Sequence, residues 1–575
     1  MAQSESGDMS WFGIAGIHGA PYMSWPRGTT GNFNQGMGYC VHGGPLFATW
    51  HRPYTLLLEQ ALQARAVAIA ARFTGSRAAA YRTAADQLRL PYWDWSDPTT
   101  RSDIPDPVMQ DRISVTKPSS NGTPVSSTIQ NPLFQYNFKS AATLRQYFSG
   151  NYANWMYTTR HPRSNSDPTP VNADANTIMR NGFTTRRSQT YQLFSQTRFN
   201  SMASQLEGIH NQIHTNIGGG SPLGHMSVTN VASFDPIFWL HHCNVDRMVA
   251  LYQAIYPNNR LEPSPGRATF GRIVPGVDGP DDNLMTNLYP FRLPGGSWWK
   301  SNEIKSVGTI WKYHYGYDEI PCVMYTNGAT RDDLSAFTRE RVNALYAPST
   351  GGSGTKSRRS PAPNAIPEAY ADLKVYPNQR GYTPGKDKHV TVRNDYGIRC
   401  TIDRSEIPGV WTGHIMFTRQ ACGTGEPRDY FYSKDRFAGF SSFGAPSARH
   451  ESMIYSQDYP ITDTLIERGV KVDNPPAVEK YLQDNLKVCF TTGDDTLYEV
   501  PVSSLKTWKL AIYTQQGRYP DGLRFGSVLP AYGDKTFLTK VTKGLPGGIK
   551  ELLDILRPTL LDGSVEDMDG NGDTY

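Results

Sequence analysis

Six histidines in two groups of three are the residues whose type and spacing can do chemistry in this chain. Neutral imidazole is a ligand suited to copper, zinc, iron and nickel. Two separate sets of three such ligands predict a pair of metal ions, each keeping one coordination position open for chemistry. The first group is His18, His42 and His51, and the second is His210, His214 and His242.

The second group carries the stronger spacing signal. His210 and His214 are four residues apart in a segment with helical periodicity, so both rings leave the same face and can meet one ion. Such a pair alone is equally compatible with two ordinary helix histidines. A metalloprotease site is disfavoured because Asn211, rather than glutamate, follows His210. His242, within Leu240–Arg247 (LHHCNVDR), can complete a shell of three nitrogens.

The elements that must position these side chains are predicted to be mainly helical in residues 1–346. Apolar positions recur at spacings of three and four in Tyr54–Phe73, which predicts a helix that begins soon after Pro53. Two further segments with this character predict helices over Arg198–Thr215 and Cys243–Tyr256.

Polar segments interrupt and follow this helical part. Residues 96–135 and 157–190 are rich in Ser, Thr, Pro, Asn and Asp, which predicts long loops. Residues 347–378 include a Gly/Ser-rich run, the pair Arg358-Arg359 and prolines, which predicts a flexible, protease-sensitive linker. Residues 558–575 are predicted to be a solvated acidic tail.

Residues 379–557 have a different pattern, in which β-branched and aromatic residues alternate with polar ones. This alternation predicts the strands of a second, β-sandwich domain. The stretches that carry it are His389–Arg393, Gly413–Phe417, Thr496–Val502 and Trp508–Tyr513.

The composition argues against several classes of protein. The formal net charge is +5 and the basic residues are dispersed, so nucleic acid is not a favoured partner. No window approaches the run of about 20 apolar residues that spans a bilayer, so no membrane association is expected. The first residues lack the basic and apolar regions of a secretory signal, which predicts either a cytoplasmic protein or a secreted or organelle-targeted one whose leader is missing from this sequence. The 6 cysteines are too sparse for a disulfide scaffold.

Taken together, six ordered motifs resemble those of the tyrosinase family of type 3 copper proteins, in its fungal branch. A seventh segment, Trp311–Tyr317, resembles the tyrosine motif that closes the family's catalytic domain. The resemblance is strong over 1–346 and loose over 375–520. It implies a mainly α catalytic domain, in which a four-helix bundle with long loops holds two copper ions, followed by the β-sandwich. The six motifs are Ile14–Pro21, Gly38–His42, Trp50–Tyr54, Leu90–Trp95, His210–His214 and Asp235–His242.

The resemblance also assigns roles to individual residues. His18, His42 and His51 would hold the first copper, and His210, His214 and His242 the second. His241 would pack or hydrogen-bond behind the ligands rather than bind metal. Cys40 matches a cysteine that forms a thioether to the histidine at position 42. Phe47 and Phe238 match aromatic residues that pack around the copper pair and gate it.

The chemistry that this family implies is oxidation of phenols by O₂. Monophenols become o-diphenols, and o-diphenols become o-quinones. Because a monophenol must lose its proton to bind copper, a base is needed near the site. Glu207 precedes His210 on the same helical face and Asn211 follows it; together they match a pair that holds a proton-accepting water. Thr215, after His214, is at a position that can tune substrate preference.

Three alternatives stay open at the level of sequence. A catechol oxidase or an o-aminophenol oxidase would share every ligand and differ in the lining of the pocket. An oxygen carrier of the hemocyanin type would share the copper pair but shield it permanently from phenols. Melanin formation and tailoring of an aromatic secondary metabolite both suit the chemistry, and a homodimer or higher oligomer is compatible with it.

The C-terminal domain is expected to shield the site until proteolysis removes it. In fungal relatives this β-sandwich inserts a plug side chain above the copper pair. The segment Phe437–Phe443 is the candidate here, with Phe443 or Phe440 as the plug. Cleavage near Arg358-Arg359 is then expected to activate a latent proenzyme.

Overall fold

The computed structural model describes residues 5–29, 37–266, 281–348, 390–443, 454–493, 496–520 and 528–549. The pair Arg358-Arg359, almost all of the predicted linker and the predicted tail lie outside the described residues.

The N-terminal part is helical around one core. Helices α2, α8 and α9 pack against one another, and α7 packs against α8, which confirms the predicted four-helix bundle. None of the described helices combines the length and apolar character that crossing a bilayer requires. The helices are α1 Trp11–Ala15, α2 Leu46–Ala70, α3 Ala78–Asp86, α4 Asp106–Met109, α5 Ala141–Tyr147, α6 Asn172–Asn181, α7 Phe183–Leu193, α8 Phe199–Gly218, α9 Ile237–Ile255, α10 Gly308–Lys312, α11 Cys322–Thr326 and α12 Arg331–Tyr346.

Helix α2 begins at Leu46 and contains Pro53, so the prediction that it begins after Pro53 is wrong. An interior proline costs a helix about 3 kcal/mol. Here the flanking turns are buried in the core, with Trp50 and Tyr54 each at most 1% exposed, and this packing offsets the cost. As a result His51 projects from a helix rather than from the segment before one.

Helix α9 also begins earlier than its predicted start at Cys243. It starts at Ile237, directly after Pro236, and the carboxylate of Asp235 accepts the Ile237 N–H at 3.2 Å. Proline suits this position because its fixed φ already matches the helix. His242 therefore lies within α9. Helix α8 confirms the prediction over Arg198–Thr215.

The two predicted long loops contain regular structure. Segment 96–135 forms helix α4 and a hairpin, and segment 157–190 contains α6 and most of α7. The prediction of loops is wrong because α6 buries an apolar face, with Ala175, Ile178 and Met179 inside, and because the polar helix α7 packs between α8 and the C-terminal domain. The hairpin strands are β1 Arg112–Pro118 and β2 Pro124–Gln130; short strands follow at β3 Ser264–Pro265, β4 Asp281–Asp282, β5 Asn287–Arg292 and β6 Trp298–Lys300.

The C-terminal domain is the predicted β-sandwich. One sheet has the order β10-β7-β13-β14, with β15 paired to β13, and the other has the order β12-β11-β8-β9. All of its strand pairs are antiparallel. The strands are β7 Val390–Asp403, β8 Trp411–Phe417, β9 Arg436–Ser441, β10 Ile454–Pro460, β11 Leu486–Thr492, β12 Tyr498–Val500, β13 Lys509–Pro520, β14 Ala531–Tyr532 and β15 Thr536–Phe537.

Among the described residues, four α-helices accompany the sandwich. They are α13 Asp429–Tyr432, α14 Thr462–Glu467, α15 Pro475–Asn485 and α16 Thr539–Thr542. A disulfide between Cys422 and Cys489 ties the segment before α13 to β11. The sequence did not predict this pairing, because cysteines 67 positions apart carry no local signal.

The two domains meet along α7 and α8, which pack on β9 and β10. Glycine permits the close approach: a Cβ at Gly208 of α8 would lie 1.7 Å from the Gln457 amide oxygen. Hydrogen bonds reinforce the contact, and the Thr185 and Thr464 hydroxyl oxygens lie 2.7 Å apart. This docking brings the end of β9 above the core of the helical domain.

Candidate metal centre

The first histidine group is assembled from three different places in the fold. His18 follows α1, His42 lies in the loop before α2, and His51 lies in α2. All three are buried, and one ring nitrogen of each lies within 4.8 Å of the others. The chain therefore folds back on itself to bring the three rings together.

The hydrogen bonds of these rings determine which nitrogen faces the centre. The Nδ1–H of His18 donates to the Thr229 carbonyl at 2.9 Å, and that of His51 donates to the Phe47 carbonyl at 2.9 Å. A carbonyl only accepts, so the opposite Nε2 of each ring carries a lone pair. The Nε2 atoms of His18, His42 and His51 are buried and lack a hydrogen-bond partner. Three such orphaned nitrogens are what a metal ion would satisfy.

The second group is built on two adjacent helices. His210 and His214 lie on α8 and His242 lies on α9. The Nε2 of His242 is 3.2 Å from that of His210 and 3.3 Å from that of His214. Nitrogens bound about 2 Å from one ion in tetrahedral directions are roughly 3.3 Å apart, so this spacing fits a common metal.

The tautomers of the α8 histidines agree with this interpretation. The Nδ1–H of His214 donates to the Met226 carbonyl at 2.9 Å, and that of His210 donates to the Asn211 side-chain oxygen at 2.9 Å. The Nε2 lone pairs of both rings therefore point at His242. A neutral His242 can donate a hydrogen bond to only one of these two nitrogens at a time, whereas a shared cation would satisfy all three.

The two histidine groups lie next to each other. The rings of His51 and His242 stack with centroids 4.4 Å apart, and those of His42 and His210 are 5.7 Å apart. Burial lowers the pKa of His18 to about 4. Burial and then neighbouring rings hold the pKa values of the other five well below the usual range, so all six are neutral ligands at pH 7.

His241 is grouped with the second trio by distance but differs in its hydrogen bonding. Its Nδ1 accepts the indole N–H of Trp95 at 3.0 Å, so the proton is on Nε2. Its ring stacks on His210, with centroids 5.0 Å apart. His241 thus packs behind the ligands, as the sequence predicts.

Two phenylalanines line the histidine groups. The ring of Phe47 lies 4.9 Å from that of His51 and 4.7 Å from that of His210. The ring of Phe238 stacks on His242 at 4.0 Å. Both are fully buried, so the structure brings them to the centre where the family resemblance places them.

The structure also brings the predicted proton-handling residues to the site. Glu207, one turn before His210, is 4% exposed, and its carboxylate accepts the Gly43 N–H at 2.8 Å. The side-chain nitrogen of Asn211 is buried and has no hydrogen-bond partner, so it is a free donor. Thr215 is buried too, but its hydroxyl lies 3.2 Å from the Asn211 carbonyl of its own helix.

Comparison with known proteins agrees with this geometry. A family model described as the common central domain of tyrosinase matches residues 8–255, which include both histidine groups. The chain belongs to the tyrosinase family. It is 26% identical over 534 residues to polyphenol oxidase 4 of Agaricus bisporus, covering 90% of this chain and 80% of that protein.

Two further matches show how much of the chain is similar to known tyrosinases in sequence and in structure. A tyrosinase of Podospora anserina is 32% identical over 367 residues, which cover 60% of this chain. The chain spans 61% of that relative, less than two thirds of its length. A crystal structure of latent and active mushroom tyrosinase matches with a TM-score of 0.70 at 24% identity, over 92% of this chain and 91% of that one. Both domains thus share a tyrosinase fold.

In this tyrosinase-family chain the C-terminal domain covers the histidines with one side chain. The ring of Phe443 stacks on His214, with centroids 3.8 Å apart and planes 15° apart, and lies 5.8 Å from the ring of His42. Phe440 does not reach the site: it packs in the sandwich core, stacked on Trp508 at 5.5 Å. Of the two candidates, the structure therefore places Phe443 over the histidines and Phe440 in the sandwich core, because Phe440 points inward from β9 and Phe443 lies beyond the strand end.

Cys40 is half-buried and lies two residues before His42, as the motif requires. Burial raises the pKa of its thiol well above the usual range. The thioether between Cys40 and His42 stays a prediction.

Two charged residues near the centre, Asp246 and Arg247, form buried ion pairs that stabilise the fold. Asp246 pairs with Arg52 of α2 and accepts the Tyr317 hydroxyl at 2.7 Å. Arg247 instead pairs with Glu319 at 2.5 Å. The hydrogen bond from Tyr317 to Asp246 links the tyrosine motif to the helical bundle. Both ion pairs are buried.

Sequence reasoning missed one charged residue of the site, Arg404. It follows β7 in the C-terminal domain, and its guanidinium lies 3.7 Å from the Glu207 carboxylate. No local pattern distinguishes it from the other arginines of the chain, because its partner lies in another domain. Only the docking of the domains reveals the contact.

The different hydrogen bonding of His241 leads to a test. His241→Gln in the copper-loaded chain is expected to keep two copper ions, because the glutamine amide oxygen can still accept the Trp95 N–H. Copper per chain, measured by elemental analysis against the unsubstituted protein, checks this. Loss of one ion would show that His241 is a ligand.

Proposed function

We propose that this chain is a type 3 copper oxidase that uses O₂ to hydroxylate monophenols and to oxidise o-diphenols to o-quinones. The observation that carries the proposal is the pair of adjoining, buried imidazole groups, in which the nitrogens of known tautomer aim lone pairs inward. When bound, a copper pair supplies O₂ activation and the exchange of two electrons. His18, His42 and His51 would hold one ion, and His210, His214 and His242 the other.

The histidine rings also provide a platform for the substrate. Phe443 shows that an aromatic ring fits face-to-face on His214. A phenol at this position would face both histidine groups, because the Phe443 ring that now occupies it also lies 5.8 Å from His42 and 5.6 Å from His210. A small phenol or o-diphenol is therefore the proposed substrate class.

Glu207 is proposed to receive the phenol proton, directly or through a water. Its carboxylate is buried, and the Gly43 N–H holds it in position. The free side-chain N–H of Asn211 can orient such a water. This pair supports monophenol hydroxylation, because a diphenol oxidase without hydroxylase activity has less need of a base.

The uncleaved chain is proposed to be latent. Phe443 occupies the space over His214 that a phenol ring needs. The mushroom tyrosinase that shares the fold has been crystallised in latent and active forms. Cleavage within residues 347–378 would allow the C-terminal domain to leave, and the o-quinone product would then suit melanin formation or tailoring of a secondary metabolite.

The decisive experiment is an oxidation assay on the copper-loaded chain before and after limited proteolysis. Tyrosine, a simple catechol and an o-aminophenol are the substrates. We expect turnover of tyrosine and catechol only after cleavage. Oxidation of catechol or aminophenol without tyrosine would favour an oxidase lacking hydroxylase activity. Reversible oxygenation without any product would indicate an oxygen carrier.

A further inference from the structure

Arg404 reaches from the C-terminal domain into the catalytic domain. It lies directly after β7 and is 2% exposed. Its guanidinium lies over the ring of Tyr455, 4.1 Å from the centroid, and an Nη1–H donates to the Phe443 carbonyl at 3.2 Å. The same Nη1 is 3.7 Å from the Glu207 Oε1. One buried cation therefore contacts both the plug residue and the proposed proton acceptor.

Burial makes this contact energetically important. The side chains of Arg404 and Glu207 are 1% and 5% exposed, so solvent does not screen their attraction. A buried guanidinium without a compensating charge would strongly destabilise the docked arrangement. The ion pair thus depends on Glu207 being ionised and facing the C-terminal domain.

Arg404 and the plug residue Phe443 contact different groups of the catalytic domain. Phe443 covers the ring of His214, whereas Arg404 engages the oxygen of Glu207 that already accepts the Gly43 N–H. A carboxylate stabilised by a guanidinium is a poorer proton acceptor. Removing the Phe443 ring would open the space over His214 but would leave Arg404 in contact with Glu207.

We propose that Arg404 is a second inhibitory element of the C-terminal domain, which engages Glu207 while Phe443 blocks the ring position. The inference rests on the proposed function, in which Glu207 receives the phenol proton. It implies that the two elements can be separated: Phe443 controls access for every substrate, and Arg404 selectively limits monophenol hydroxylation.

The test uses copper-loaded, uncleaved chains carrying Phe443→Ala alone or with a second substitution. In Phe443→Ala, catechol oxidation is expected while tyrosine hydroxylation stays low. Adding Arg404→Met should raise tyrosine hydroxylation about tenfold and leave catechol oxidation within about twofold. Adding Arg404→Lys, which keeps the charge, should leave hydroxylation low.

Arg436→Met is the matched control. Arg436 is 4% exposed in β9 and crosses the same domain boundary, where it donates to the Asn216 side-chain oxygen at 3.0 Å. The Arg436→Met substitution removes a buried arginine from the domain interface and leaves the contact between Arg404 and Glu207 in place. In the Phe443→Ala background it should not raise tyrosine hydroxylation.

Three results would overturn the inference. One is an unchanged tyrosine rate when Arg404→Met is added to Phe443→Ala. Another is the same increase from Arg436→Met, which would show that loosening of the interface suffices. The third is full activity of Arg404→Met with Phe443 intact, which would mean that Arg404 only holds the domains together. If the cleaved natural chain oxidises no phenol, the proposed function itself fails. If that chain is active and one of these three results is found, only the inference about Arg404 fails.

Discussion

His214→Ala in the cleaved, copper-loaded chain is expected to abolish phenol oxidation, a loss of at least about 10³-fold. The reason is that His214 is one of three histidines proposed to hold one ion, with its Nε2 3.3 Å from that of His242 and its Nδ1 committed to the Met226 carbonyl. Alanine leaves two ligands, too few to retain the ion. Bound copper, measured by elemental analysis, should fall from two ions per chain to one.

The neighbouring His241→Gln is the control for this loss. It removes an imidazole from the same cluster and should keep both ions, because the Nδ1 of His241 accepts the Trp95 N–H, which places the proton on Nε2 and leaves no lone pair for an ion. Retention of two ions by His214→Ala, with activity intact, would contradict the assignment of the second trio. Unfolding is detected separately by circular dichroism, since α8 and α9 lie in the core.

Glu207→Gln in the cleaved chain is expected to lower kcat/KM for tyrosine by about 10²-fold. The amide can still accept the Gly43 N–H, so the position of the side chain is retained while its capacity to take a proton is lost. Oxidation of catechol should fall much less. The ratio of the two rates, measured on one preparation, is therefore the quantity to follow.

The ratio separates a chemical role from a structural one. If Glu207→Gln lowered both rates equally, the carboxylate would stabilise the site rather than receive the phenol proton. Copper content serves as the internal control, because His210 lies one turn further along the same helix and should keep its ion. An unchanged ratio with full copper would contradict the role proposed for Glu207.

Prediction from sequence was most successful where short segments carry the information. The spacing of His210 and His214 indicated one helical face, and α8 places both rings there. Alternation in the last third of the chain predicted strands, and β7, β8, β12 and β13 lie in the two sheets of the sandwich. These properties follow from side-chain periodicity, which depends on neighbours in sequence.

Predictions failed where burial outweighed local preference. The pattern predicts a boundary at Pro53, yet α2 continues through it because both adjacent turns are buried. Residues 172–193 are polar enough to resemble loop, yet they form α6 and α7. Polar side chains of α7, such as Thr185 and Gln189, meet the C-terminal domain instead of water, and no local pattern records that partner.

By itself the sequence determined the family and the fold class, helical and then β-sandwich, and it singled out the six histidines that the structure brings together, because residue type and short-range spacing are sufficient for each. Only the tertiary structure decided that Phe443 rather than Phe440 lies on His214, and that Arg404 faces Glu207. Both contacts cross a boundary between separately packed cores. Their geometry depends on how the two cores dock, which no spacing along the chain encodes.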